Sequence, residues 1–188
     1  GESVNDKGCS QPYYDSDFDG IDNELDSCPN TLAGEAVNSQ GCALNQLTYI
    51  PDDNFEQVII DLGLDEDLDD YVVTERIESL KKLDMRGKNI SNATGIENFI
   101  ELEQLTFWEN NLTQIDLTQN IHLTYLDLDN NKLEDVDLSK NTQLTTLYLN
   151  SNNITCLDLN NNLQLLLIHV LHNKIEALDL SNHKQLYH

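Results

Sequence analysis

The sequence predicts an α/β solenoid in which short parallel strands, one from each repeat of 21–22 residues, form a single β ladder. Two observations predict it. Leucines recur at fixed spacing in consecutive copies that begin at Leu80, and an asparagine recurs at the same place in each copy. A single repeat of this length cannot bury its apolar face alone, so neighbouring copies must stack and share one core. We therefore expect residues 80–188 to form one repeat domain.

The copies themselves identify the type of repeat. "LTYLDLDNNKLEDVDLSKNTQ" and "LTTLYLNSNNITCLDLNNNLQ" have 21 residues each and fit L-x-x-L-x-L-x-x-N-x-L-x-x-L-D-L, the pattern of a leucine-rich repeat. We expect the asparagine of this pattern to satisfy backbone groups where the chain turns. These asparagines are Asn110, Asn131, Asn152 and Asn173. A second series predicts another ladder of short strands on the other side; it contains Asn120, Asn141 and Asn162.

Residues 46–79 precede the repeats and are expected to cover the first of them as an N-terminal cap that contains a helix. Asp53 and Glu56 form a predicted capping box, Gly63 ends the helix, and "YVVTERI" is predicted to be a strand. Short bacterial proteins with 21-residue repeats, which this chain resembles, show a similar I-P-D-x-x-F-E segment. Acidic residues also alternate over 65–69, but Asp70 stands where a calcium loop needs glycine, which argues against a metal site there.

The segment "DSDFDGIDNELD" has the spacing of an EF-hand-like calcium loop. In that geometry alternate oxygens converge on one hard cation, a glycine permits the turn, and one backbone carbonyl adds a ligand. The alternative is a solvated acidic loop in a very acidic chain. We predict a calcium site; its ligands are Asp15, Asp17, Asp19, the carbonyl of Ile21, Asn23 and Asp26.

The same segment lies within a duplicated motif, because "GESVNDKGCS" returns as "GEAVNSQGCA" with an offset of 33 residues. The string "DSDFDGIDNELDSCPNTLAGEAVNSQGC" resembles a bacterial thrombospondin type-3 repeat. The resemblance implies that residues 1–45 bind calcium and act as a rigid spacer. Cys28 and Cys42 bracket one copy, and we expect them to form a disulfide, whereas Cys9 has its expected partner upstream of residue 1 and Cys156 is a lone thiol.

Charge excludes several classes of partner. The formal net charge is −24, and residues 1–80 carry 20 acidic but only 2 basic side chains. Such a chain repels phosphate backbones and anionic lipid surfaces, so we expect neither nucleic-acid binding nor membrane insertion. A disulfide indicates an oxidising compartment, and we therefore expect a secreted or cell-surface protein.

The side chains between the ladder leucines are expected to line a concave face that binds a ligand. The candidate residues on this face are Trp108, Tyr125, Asp127, Tyr148 and His169. Large aromatic side chains are frequent hot spots of binding surfaces. No catalytic motif such as G-x-S-x-G or H-E-x-x-H occurs, so we expect no enzyme.

Three functions fit this pattern. The first is a bacterial recognition or adhesion module for protein–protein contact, on a calcium-stiffened spacer. The second is a carbohydrate-binding module of a surface glycan-handling protein, and the third is a purely structural spacer. The sequence stops early in a repeat, so we also expect either end-to-end self-association or a longer native chain.

Overall fold

A computed structural model describes residues 14–187, and Cys9 lies outside them. The chain divides into two compact units, with the boundary between Leu47 and Thr48. Over residues 14–46, the first unit is irregular apart from a 3-10 helix at Leu44–Gln46 and an antiparallel bridge between Val37 and Ala43. Its centre is the buried disulfide between Cys28 and Cys42, so the predicted pairing is confirmed.

The second unit contains most of the regular structure. Strand β1 (Leu47–Tyr49), which begins at the last residue of the first unit, pairs with β2 (Tyr71–Val73), and helix α1 (Asp53–Asp61) lies between the two strands in the sequence. A short helix α2 (Thr74–Ile77) follows β2 directly, so the prediction of one strand through "YVVTERI" is wrong beyond Val73. A 3-10 helix at Ile96–Asn98 lies in the first repeat.

Helix α1 begins one residue earlier than the sequence predicts. Its N-cap is Asp52, whose carboxylate accepts hydrogen bonds from the backbone N–H groups of Asn54 and Phe55. The predicted capping box of Asp53 and Glu56 is therefore wrong. The prediction that Gly63 ends the helix is confirmed. Gly63 has a φ of 73°, a left-handed conformation that favours glycine, and its N–H donates to the Ile60 carbonyl.

Asp52 also joins the helix to the first repeat. Its Oδ2 accepts hydrogen bonds from the backbone N–H of Ser91 (2.8 Å), the Ser91 hydroxyl (3.0 Å) and the backbone N–H of Asn92 (3.0 Å). Burial alone would raise the pKa of this carboxyl, but the hydrogen bonds from Ser91, Asn92 and Phe55 together lower it.

This lowered pKa makes a testable contribution to the dependence of stability on pH. Because the pKa of Asp52 is lower in the folded than in the unfolded chain, its stabilisation is complete above the unfolded pKa. It is lost as the pH falls through the folded pKa. We expect the free energy of unfolding of Asp52→Asn to fall less steeply with decreasing pH than that of the wild type, as measured by urea denaturation below pH 5. Asp53→Asn, at an exposed position, is the control for the loss of one charge. Equal slopes of unfolding free energy against pH in the wild type and Asp52→Asn would contradict this prediction.

The repeats form the predicted parallel β ladder of five strands in chain order. They are β3 (Lys82–Asp84), β4 (Gln104–Thr106), β5 (Tyr125–Asp127), β6 (Thr146–Tyr148) and β7 (Leu167–His169). The central residues of neighbouring strands are in register and form one apolar column: Leu83, Leu105, Leu126, Leu147 and Ile168. The two residues that flank each central residue point the other way, and we call these ten positions the strand face.

The first asparagine ladder is present as predicted. The Asn110 Nδ2 donates to the carbonyl oxygens of Met85 (2.8 Å) and Phe107 (2.9 Å), and its Oδ1 accepts the N–H of Ile90 (2.9 Å). One side chain thus satisfies three backbone groups of two consecutive repeats. The same pattern recurs at Asn131, Asn152 and Asn173.

The second ladder is also built from asparagine, but the short strands predicted there are absent from the described part of the repeats. The buried Asn141 Nδ2 donates to the carbonyl oxygens of Leu117 (3.0 Å) and Asn120 (2.9 Å). Side-chain amides therefore make the contacts between repeats at these turns, where the prediction assumed backbone pairing. Buried His183 takes the equivalent place in the last repeat, with Nε2 3.2 Å from the Leu159 carbonyl oxygen.

Candidate functional site

The acidic loop of the first unit brings three of the six predicted metal ligands together. Carboxylate oxygens of Asp15, Asp17 and Asp19 lie within 4.8 Å of one another. Burial raises the pKa of the Asp26 carboxyl, and the negative charges of Asp17, Asp19 and Asp15 raise it further, so Asp26 faces the same cluster. Four carboxylates in one place repel one another unless a cation or protons compensate them.

In each of three carboxylates of this cluster, one oxygen has no hydrogen-bond donor. One oxygen of each binds a backbone N–H: Asp17 accepts from Thr31 (2.8 Å), Asp19 from Ile21 (2.8 Å) and Asp26 from Cys28 (2.8 Å). The other oxygen of each is buried and receives no hydrogen bond. Buried oxygens without donors are strongly unfavourable, and oxygen-only donor sets are those that hard divalent cations prefer. The residues present therefore fit such an ion.

Two glycines permit this arrangement. Gly20 has a φ of 100° and its N–H donates to Asp15 Oδ2 (2.9 Å), as a sharp turn at this position requires. Gly41 lies against the cluster, because a Cβ at this position would lie 2.2 Å from Asp26 Oδ1 and 3.0 Å from Asp19 Oδ2. A side chain at this position would displace the Asp26 carboxylate, and the φ of 79° also favours glycine. Gly41 was not among the residues predicted from the sequence.

The two remaining predicted ligands, Asn23 and Ile21, make hydrogen bonds within the loop. The Asn23 Oδ1 accepts hydrogen bonds from the backbone N–H of Ser16 (2.8 Å) and from its hydroxyl (3.2 Å). This contact holds the two ends of the loop together. Ile21 follows Gly20 directly and its N–H donates to Asp19, so its place in the loop is set by the cluster.

On the strand face, three of the candidate binding residues form a row of rings. Tyr125 and Tyr148 have ring centroids 5.8 Å apart, and Tyr148 and His169 meet edge-to-face at 4.9 Å. Trp108 is 38% exposed and makes no ring contact with another aromatic residue among residues 14–187. The structure therefore groups Tyr125, Tyr148 and His169 and leaves Trp108 outside this aromatic row.

Charged groups flank the aromatic row. Burial and the charge of Asp129 raise the pKa of the Asp127 carboxyl, whereas burial and the charge of Asp127 raise the pKa of the Tyr125 hydroxyl. Near β3, on the Tyr125 side of the row, the hydrogen bond from the Arg86 side chain lowers the pKa of Asp84, with the Arg86 Nε 2.9 Å from both carboxylate oxygens.

A cleft of about 400 Å³ opens beside Tyr125 on the strand face. It is lined by Leu62, Lys82, Leu83, Asp84, Arg86, Gln104, Thr106 and Tyr125. Leu62, the C-cap residue of α1, is 52% exposed. The face thus offers rings, carboxylates and an open cleft to a ligand.

Comparison with known proteins identifies the type of solenoid. No protein-family model matches the sequence. Internalin J of Listeria monocytogenes (serotype 4b, strain F2365) is 32% identical over 99 residues, which are 53% of this chain and 10% of internalin J. The structure of the functional domain of InlJ from L. monocytogenes is 35% identical, with a TM-score of 0.68, over 75% of this chain and 32% of that chain. The fold is a leucine-rich-repeat solenoid.

Two further internalin structures from L. monocytogenes strain 4b F2365 share this fold. InlF is 26% identical with a TM-score of 0.57, over 74% of this chain and 49% of that chain. Internalin C2 is 20% identical with a TM-score of 0.56, over 76% of each chain, which shows the fold alone. These likenesses support a bacterial leucine-rich repeat protein. The domain of InlJ includes a cysteine ladder, whereas both ladders of these leucine-rich repeats consist mainly of asparagine.

The chain spans a tenth of the length of curated internalin J and about a third of the InlJ domain. Among residues 14–187, no helix is both long and apolar enough to cross a bilayer.

Proposed function

We propose that this chain is a non-enzymatic recognition or adhesion module that binds a protein ligand on the predicted concave face, outside the cell or at a bacterial surface. The observation that carries the proposal is the row formed by Tyr125, Tyr148 and His169 on the strand face of an internalin-like repeat array. Aromatic side chains supply large contact areas at little conformational cost, which makes them frequent binding hot spots.

The charges on the strand face favour a ligand with lysine or arginine side chains. Asp127 and Asp129 lie beside the row. Two basic side chains, Lys82 and Arg86, line the cleft beside Tyr125, and Arg86 is already paired with Asp84. A cation placed over Tyr148 would gain both cation–π and carboxylate contacts. The formal net charge of −24 attracts such ligands over longer distances.

The first unit is proposed to bind calcium and to act as a spacer. Its support is the donor set of the cluster, in which buried oxygens of Asp17, Asp19 and Asp26 have no hydrogen-bond donor. An ion at this cluster would hold together parts of the segment that have little regular structure. The disulfide between Cys28 and Cys42 agrees with an oxidising, extracellular compartment.

A carbohydrate ligand is the alternative, because exposed rings such as Tyr148 and His169 also stack on sugars. The two hypotheses predict that the purified chain binds different probes. A glycan array and a peptide library displayed on phage, both screened with the purified chain in calcium, separate them.

We expect the peptide selection to enrich basic sequences, and Tyr148→Ala to weaken the selected peptides at least tenfold, or about 1.4 kcal/mol. The reason is the loss of the central ring, which contacts both Tyr125 and His169. Titration calorimetry with the selected peptides measures the change. Asp158→Asn, at an exposed turn position away from the strands, is the matched control.

Equal peptide affinities in wild type and Tyr148→Ala would exclude the aromatic row as the binding site. A glycan signal that disappears in Tyr148→Ala would favour the carbohydrate ligand. Trp108→Ala, tested beside it, reports whether the exposed tryptophan contributes from outside the row.

A further inference from the structure

A second group of carboxylates lies in the second unit, where helix α1 meets the loop that precedes β2. Carboxylate oxygens of Glu56, Asp65 and Asp69 lie within 4.8 Å of one another. Asp67 is the middle acid of the alternating residues 65–69, but it is exposed and does not belong to the group. The third member is Glu56, from the helix. The group therefore joins residues that are up to 13 positions apart.

Two of these carboxylates are in an environment that requires compensation. Glu56 is 1% exposed, and its carboxylate accepts hydrogen bonds from the backbone N–H groups of Asp69 (3.0 Å, to Oε1) and Asp70, which carry no full positive charge. The Oδ2 of Asp65 is buried and receives no hydrogen bond. None of the salt bridges among residues 14–187 involves Glu56, Asp65 or Asp69. Buried carboxylates without a counter-charge are strongly unfavourable.

The electrostatics agree with this geometry. Burial raises the pKa of Glu56, and the charges of Asp65 and Asp69 raise it further. Burial likewise raises the pKa of Asp65; the charges of Asp69 and Asp67 add to this effect, whereas the backbone N–H of Glu66 and the charge of Arg76 oppose it. The charge of Arg76 therefore does not offset the effect of burial on the pKa of Asp65.

We propose that Glu56, Asp65 and Asp69 bind a hard divalent cation, at a site separate from the acidic loop of the first unit. The donor set consists of oxygens alone, which favours calcium or a similar ion over zinc or copper. One shared proton would neutralise one of the three carboxylates and leave two like charges within 4.8 Å, whereas a divalent ion contacts all three. Asp69 is exposed, so the site is open to solvent and to ions.

The ion would connect the helix to the loop. Glu56 lies on the buried side of α1, and the N–H of Asp69 already donates to it. The N–H of Tyr71, the first residue of β2, donates to Asp69 Oδ1 (3.0 Å). Binding at this group would therefore stabilise the loop between α1 and β2 and the start of the strand.

The test is calcium titration calorimetry at pH 7.5 on the full chain carrying Asp17→Asn, which weakens the first site. We expect this chain to bind one calcium ion, and the additional change Asp65→Asn to remove that binding or weaken it at least tenfold. Asp67→Asn in the same background is the matched control, because it removes one charge from the same loop outside the group.

Circular dichroism establishes that each variant is folded, and Asp69→Asn provides a second, exposed test position if Asp65→Asn unfolds the chain. The proposal is overturned if the folded Asp17→Asn chain binds no calcium. It is also overturned if Asp65→Asn and Asp69→Asn leave the affinity unchanged, or if Asp67→Asn weakens binding as much as they do.

Discussion

Removal of divalent cations is expected to increase hydrogen exchange throughout residues 14–47, while residues 80–187 remain protected. The reason is the acidic cluster, in which buried oxygens of Asp17, Asp19 and Asp26 have no donor and their charges repel one another. An ion present at one hundred times its dissociation constant stabilises the state that binds it by about 2.7 kcal/mol. Hydrogen exchange followed by mass spectrometry, in calcium and in chelator, measures the difference.

A pair of variants makes this experiment specific. Asp17→Asn should show fast exchange even in calcium, because it weakens a ligand that also accepts the Thr31 N–H. Glu24→Gln removes one charge at an exposed position of the same segment and should exchange like the wild type. Identical exchange of the wild type in calcium and in chelator would mean that this segment is an acidic loop without a cation.

The second large effect is expected at the second asparagine ladder, which contains Asn141. Asn141→Ala removes the amide that donates to the carbonyl oxygens of Leu117 (3.0 Å) and Asn120 (2.9 Å), deep in the stack of repeats. Each carbonyl keeps a backbone donor, the N–H of Asn120 (3.1 Å) for Leu117 and the N–H of Leu123 (3.2 Å) for Asn120, so the variant loses two hydrogen bonds. At about 0.5–1.5 kcal/mol for each bond, we expect a loss of about 1–3 kcal/mol in the free energy of unfolding. Equilibrium urea denaturation followed by circular dichroism measures it.

Asn141→Asp and Asn160→Ala serve as the comparison for this variant. The aspartate has nearly the same shape but no amide donor, and its carboxylate would face two carbonyl oxygens, so it should destabilise at least as much as alanine. Asn160 is exposed, and only its backbone N–H makes a hydrogen bond, to Asp158, so its replacement should change stability by less than about 0.5 kcal/mol. A loss for Asn141→Ala no greater than this would show that the ladder amides are dispensable.

The repeats were predictable because their information is local and recurs. Each copy carries the same leucine and asparagine positions, so the register of β3 to β7 and the hydrogen bonds of Asn110 follow from the spacing alone. The disulfide between Cys28 and Cys42 was predictable for a similar reason, since the two cysteines bracket one copy of a duplicated motif. A pattern that repeats averages out the local exceptions of any single copy.

The cap region shows where this reasoning fails. Asp52 and Asp53 are equivalent as helix caps by local sequence, and only the contact of Asp52 with Ser91, 39 residues away, distinguishes them. Glu56 fits a capping box by spacing, yet burial turns its carboxylate toward Asp65 and Asp69. Such partners are set by the packing of α1 against the first repeat, which has no periodic signal in the sequence.

The solenoid, its repeat length, its apolar column and the position of the acidic loop all follow from residues at fixed short spacing, so they can be predicted without a structure. Which carboxylates share a site, and which aromatic side chains touch, depends on how distant parts of the chain pack. Tyr148 and His169 meet because stacking pairs residues 21 positions apart, and Tyr125 reaches Tyr148 diagonally across neighbouring strands, 23 positions away, whereas Trp108 lies outside their row. Side-chain direction and burial depend on the packed neighbours, and these become defined only when the repeats stack.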